Sequence, residues 1–400
     1  MAEITPPVGT ELAGFGYYLE RRMEGVRDPL HIRAAVLEEG SVRVLVISCE
    51  LLGLSQDVAD ALIRHGKALG CTEVMIVSVH THTGPAIKYH EGCGEVNPAY
   101  TAVLAERMFP ALDAAMADLQ KVTGIAYGRT AVEGDWIYNR AAKEGPVDRD
   151  VRGFVLTREK GKKLALMGCA CHGVFLGRTH LASADFSGEI IRSLGDMDTV
   201  YLNGLCGDID PFHTGEEAMC AFGKRAAESF LSSLKPIGMT LRAGRLPFSI
   251  RLRRVTQEDI RAAADEAERR AGGPDMPAAR VARTWEKEML EKVDRLREIE
   301  PGTAACFVLG GVPVLALPFE GFTAIGMKIR EGIGSDDAMV LGCAEELRGY
   351  LPTRDDIARG SYAALESTFL YKRLPAVPGE AERLAEQMTE AYLKQMDHAG

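Results

Sequence analysis

Apolar residues along this chain recur in two rhythms. Short runs rich in β-branched residues at 42–48, 74–79, 164–171, 199–202, 305–317 and 339–343 predict strands. Between them, apolar positions spaced three and four apart predict helices over 56–69, 100–120, 187–193 and 215–234. Gly310-Gly311 followed by Pro313 predicts a tight hairpin turn inside the run 305–317. The alternation of the two rhythms predicts an α/β fold with a mixed β-sheet core flanked by helices.

Residues 257–299 break that pattern. They are dense in Ala, Arg and Glu, are split at Gly272-Gly273-Pro274, and carry many oppositely charged neighbours. This predicts a charged helical hairpin inserted into the domain, projecting as an arm through which a homo-oligomer would form.

Composition narrows the class. The chain has 400 residues, 46% hydrophobic and 26% charged, which describes an ordinary globular protein of one large or two fused domains. A formal charge of −10 disfavours nucleic acid and anionic membranes, whose phosphates demand a basic face. No apolar run is long enough to predict a membrane span. The opening MAEITPPVGTELAGFG lacks the basic and apolar regions of a signal peptide. Nine cysteines, mostly within apolar runs and without a C-x-x-C pair, predict buried free thiols in a reducing cytoplasm. Cys169 and Cys171 flank one position beside His172, but strand alternation turns both thiols away from that imidazole.

Candidate chemistry gathers where strands end. In SVHTHTGP, His80 and His82 follow a strand, and residues two apart in an extended segment address one point. A metallo-β-lactamase pattern would place Asp-His at 84 and 85, where Gly84-Pro85 stands, and the repeat of an amidohydrolase barrel is absent. His172 closes a second strand in CACHGVFLG, ahead of Asp185 and a helix for which Ser187 is the expected N-cap. In NGLCGDIDPF, Asp208 and Asp210 are spaced to share a face, as metal ligands, as a general base, or as turn formers. Glu320 stands between a strand and a helix, where a helix N-terminus favours a carboxylate. Tyr350 and Tyr362 lie in a Gly/Pro-broken stretch and carry little meaning alone.

Taken in order, EITPPVGTELAGF, VRDPLHIRAAVL, VSVHTHTGP, Asn139-Arg140, CHG, NGLCGDIDP, LPFE and GYLPT…SY resemble the catalytic domain of the neutral/alkaline (non-lysosomal) ceramidases. The resemblance extends to about Leu365. It implies a single ceramidase-like catalytic domain over 1–400, with 257–299 as an insertion and no C-terminal β-sandwich domain. It further implies a zinc amidase site with His80, His172, Glu320 and Tyr350 as ligands. Arg140, Tyr362 and His82 would then stabilise an oxyanion. Catalytic zinc lowers the pKa of a bound water to about 7, which suits hydrolysis of an amide, ester or lactone.

One departure separates the chain from that family. Asp210 occupies the position of the serine in the G-D-x-S-P motif. A carboxylate there would act as general base or, with Asp208, as ligand to a second metal. The expectation is a cytoplasmic, zinc-dependent amidase or lactonase acting on a small soluble substrate. The alternatives are a metal-dependent hydrolase of glycosidic or phosphoester bonds, and a non-catalytic metal-binding scaffold.

Overall fold

The computed structural model describes residues 1–397. It has three mixed sheets, each containing one parallel pair, and all three share a core. The first runs Ala2–Glu3, His31–Glu39, Val42–Cys49, Glu73–Ser78, with the last two strands parallel. The second runs Asp198–Tyr201, Leu164–Gly168, Asp150–Arg158, Val122–Ala131, Lys235–Ile237, with the first two parallel. The third runs Leu241–Arg251, Ile299–Leu309, Val312–Ala316, Met339–Leu341, again with one parallel pair.

Strand alternation explains how each sheet serves two cores. Val44, Val46, Met75 and Val77 face a central core, where they meet Phe154, Leu156 and Leu166 of the second sheet and Phe307 and Val314 of the third. The intervening residues Leu45, Ile47, Val74 and Ile76 face outward, onto the helices Gln56–Ala68 and Pro98–Ala117. Ala165 and Met167 likewise meet Asp185–Ser193 and Glu216–Ser233. Cys306, Val308 and Leu315 meet Thr323–Gly332 and Glu380–Tyr392. Burial on both faces is why these strands read as continuous apolar runs.

Several predicted elements change in detail. The run 164–171 leaves the sheet after Gly168, because its next partners lie outside that sheet: Cys169 accepts from the Gly204 amide, and the His172 amide donates to Ile209. The run 305–317 is the expected hairpin, with Ile299–Leu309 and Val312–Ala316 joined at Gly310-Gly311. The helix predicted from 187 begins at Asp185, so Ser187 is not its N-cap. Ser183 Oγ accepts the Asp185 amide instead, and the Ser187 hydroxyl donates to the Ala184 carbonyl.

The segment 257–299 forms helices Gln257–Ala271 and Pro277–Lys292, opened by a Thr256–Asp259 capping box. It is docked rather than projecting as a free arm. Ile260, Val281, Trp285 and Met289 bury against Phe369, Leu370 and Leu374, with Tyr17 and Tyr18 at the margin. Trp285 Nε1 donates to the Arg373 carbonyl at 3.2 Å, and its ring meets Phe369 edge-on at 4.9 Å.

Among the described residues, no helix is long and apolar enough to cross a membrane.

Candidate metal centre

The parallel strands end side by side, and the segments that follow them converge on one buried point. His80 comes two residues after the strand Glu73–Ser78, with its backbone in the left-handed region at φ 62°. Its amide donates to Leu51 and its Nδ1 to the Leu52 carbonyl at 2.8 Å. His172 Nδ1 donates to the Ile209 carbonyl at 3.1 Å. A carbonyl only accepts, so both Nδ1 atoms carry a proton and both Nε2 atoms face the interior, where each could ligate a cation once deprotonated.

Close backbone approach holds these segments together. A Cβ on Gly173 would lie 2.6 Å from the His80 carbonyl oxygen, and one on Gly207 would lie 2.3 Å from that of Glu320. Only glycine lets the loops meet so closely. The short strand Glu320–Gly321 pairs in parallel with Tyr350–Leu351, placing Glu320 beside Tyr350.

The four expected ligands are therefore neighbours. Glu320 Oε2 lies 3.2 Å from His80 Nε2 and 3.3 Å from His172 Nε2. Tyr350 Oη lies 3.3 Å from His172 Nε2. His82 joins them more closely than expected, with its Nε2 3.4 Å from His80 Nε2 and its buried Nδ1 without a hydrogen-bond partner. The His80, His82 and His172 donor atoms lie within 4.8 Å of one another. Three imidazoles, a carboxylate and a phenol, all buried, form a donor set suited to a divalent transition metal.

Electrostatics agree with that reading. Burial raises the Glu320 carboxyl pKa, but His80 and His172 outweigh it and hold Glu320 well below the usual range. Burial and Arg140 lower His172, yet Cys206 and Glu320 push it up to about 10. A bound cation would replace that proton. Burial also drives the Tyr350 phenol well above its ordinary value, against the pull of Arg140.

Arg140 spans the site. Its Nη2 donates to Tyr350 Oη at 2.8 Å and to the Gly207 carbonyl at 3.1 Å, while Nη1 reaches Asp210 Oδ1 at 3.2 Å. Tyr362 stacks edge-on against Tyr350 at 5.8 Å and, at 44% exposed, lies toward solvent.

Asp208 and Asp210 do not share a face. Asp208 Oδ1 accepts from the Thr323 amide and hydroxyl at 2.8 and 3.0 Å, and Oδ2 accepts from Asn139 Nδ2 at 2.7 Å. It caps the helix Thr323–Gly332 and braces the Arg140 loop, with both carboxylate oxygens engaged in hydrogen bonds. The helix begins at Thr323, so Glu320 stands outside its first turn.

Two residues of the site carry no sequence signal of their own. The Tyr371 hydroxyl donates to Glu320 Oε1, the carboxylate oxygen turned away from the histidines. Arg21 is buried and donates to the carbonyls of His82 and Ala13, both at 2.6 Å, clamping the histidine loop.

A cleft of about 940 Å³ lies elsewhere, lined by Arg33, Leu37, Asp118, Arg158 and Leu241. Its arginines are already paired, Arg158 with Asp118 and Asp198, and Arg33 with Glu50. The histidine cluster is the better functional candidate.

No family model matches the chain, and no curated protein does. Solved structures do. Neutral ceramidase from Pseudomonas aeruginosa superposes with a TM-score of 0.75 at 16% identity, covering 98% of this chain and 72% of that one. A ceramidase complexed with C2 superposes at 0.73 and 15%, covering 98% and 74%. At such identity the likeness is one of fold, and over nearly its whole length this chain is ceramidase-like in fold.

Proposed function

We propose that the protein is a zinc-dependent hydrolase that cleaves an amide or ester/lactone bond of a small soluble substrate. The observation that carries this reading is the convergence of His80, His172, Glu320 and Tyr350 on one point, with Arg140 beside them. When bound, the metal supplies a Lewis acid and a water of lowered pKa. His80, His172 and Glu320 would hold it, with Tyr350 as a weaker fourth donor.

The remaining residues have work suited to acyl transfer. The Arg140 guanidinium, directed at Tyr350 Oη, offers a fixed positive charge to a developing oxyanion, and Tyr362 a hydroxyl from the solvent side. His82 stays neutral, because burial and the neighbouring imidazoles hold its pKa well below the ordinary value. It orients substrate by hydrogen bonding. Asp210 is partly exposed and hydrogen-bonded to Arg140, which fits a proton acceptor at the mouth of the site. All nine cysteines are free, which supports a reducing, cytoplasmic setting. We infer that this chain shares the bond class of the ceramidases and acts on a small soluble substrate in place of the lipid.

The test is a panel of short amides, lactones, esters and phosphodiesters, assayed with chelator-stripped and zinc-reloaded protein. Zinc-dependent turnover of an acyl substrate, lost in His80→Ala and His172→Ala, is the expected result. Turnover that is indifferent to stripping, or confined to phosphodiesters, would overturn the reading.

A further inference from the structure

Behind the histidines lies a pair of thiols that none of this chemistry uses. Cys206 and Cys343 are both fully buried, and their sulfurs lie within 4.8 Å of a His80 ring nitrogen and of each other. Cys206 therefore sits against the imidazole of one expected ligand, with Cys343 beside it.

The backbone places these thiols deliberately. Cys206 immediately precedes Gly207, whose amide donates to Gly321 and whose missing side chain admits the Glu320 carbonyl. The Cys343 amide donates to Phe319, next to Glu320, and its carbonyl accepts from Ser78, two residues before His80. Cys343 holds a left-handed backbone at φ 51°, uncommon for a residue with a side chain. The same contacts that fix the two ligand segments thus fix both sulfurs.

We propose that Cys206 is a thiolate ligand of the metal held by His80, His172 and Glu320, with the Cys343 S–H donating a hydrogen bond to its sulfur. This rests on reading that pocket as a metal site, and it names the metal. A soft thiolate beside two imidazoles selects zinc over magnesium or manganese. Ligation would release the thiol proton to solvent as the metal–sulfur bond forms. Asn203, with its amide nitrogen turned to the carbonyls of Cys169 and Cys171, directs its oxygen at Cys206 and accepts that S–H until metal takes its place.

The experiment is cobalt(II) substitution followed by absorption spectroscopy on the full chain. Wild type should show visible d–d bands together with a near-ultraviolet thiolate-to-cobalt charge-transfer band. Cys206→Ser should bind one cobalt and lose only the near-ultraviolet band, and Cys343→Ser should keep it. Cobalt-loaded wild type with visible bands and no charge-transfer band overturns the proposal while leaving the metal site intact. So does a band that survives in Cys206→Ser and vanishes in Cys343→Ser. Failure of wild type to bind cobalt at all would overturn the metal site itself.

Discussion

His80 carries a cost that its role accounts for. A non-glycine residue in the left-handed region is strained by about 1–3 kcal/mol and persists only where its surroundings over-determine it. Here the Leu51 and Leu52 carbonyls do so, holding the ring with Nε2 toward Glu320. Asp185, also left-handed at φ 55°, is a second such residue, accepting the amides of Phe175, Leu176 and Phe186. Burial outweighs these bonds and lifts its pKa from 3.8 to about 6. Its sign follows directly. Between those values the folded state keeps a proton that the unfolded state has lost, so rising pH erodes the contribution of Asp185 to stability until about pH 6. Asp185→Asn should therefore gain on wild type in urea midpoint between pH 4 and pH 7. An unchanged difference would show that Asp185 does not titrate there. At Asp210, substitution by Ser should leave metal content intact and reduce kcat by roughly 10²–10⁴ if the carboxylate is the proton acceptor. Wild-type kcat with normal metal content would confine Asp210 to bracing Arg140. Much at this scale was legible: His80, His172 and Glu320 follow predicted strands, and Tyr350 entered through the ordered motifs of the resemblance. Tyr371 and Arg21 were not, because a lone tyrosine in FLYKR and a lone arginine in LERRM carry no pattern. The thiols of Cys206 and Cys343 read as core residues because only the fold brings them to His80.

At the scale of elements, the inserted hairpin is the part whose placement sequence could not supply. Its helices were evident from composition and the pattern of opposite charges. Its docking depends on an edge-on match between Trp285 and Phe369, a contact between distant segments that no local pattern encodes. The docked hairpin supports the loops that frame the site: Arg280 lies 4.0 Å over the Tyr18 ring, and Lys372 pairs with Glu288. Trp285→Ala should cost about 3–5 kcal/mol of local stability. Hydrogen exchange would then accelerate in 14–20 and 366–374 while the three sheets stay protected. Exchange unchanged in both segments would show that the hairpin does not brace the site. The spacing of Asp208 and Asp210 misled for a related reason. Period-two alternation assumes a free strand, but Asp208 precedes the short strand Ile209–Pro211 and turns inward to cap a helix from another sheet.

For the whole molecule, the arrangement of three sheets about one core makes the site a junction. His80 follows the first sheet, His172 the second, and Glu320 with Cys343 the third. A cation held there ties three layers together, so its binding free energy is also folding free energy. At about 100 times Kd, free zinc should stabilise the chain by roughly 2.7 kcal/mol, and chelation should remove that increment. The alternation of strands and helices announced an α/β class. The threefold meeting of the sheets was not legible, because the same apolar runs would serve one continuous sheet. The measurement that bears most directly on this account is a calorimetric titration of chelator-stripped protein with zinc. The account predicts one zinc per wild-type chain and no detectable binding to His172→Ala. Wild type that binds no zinc, or His172→Ala that binds it with wild-type affinity, would contradict it.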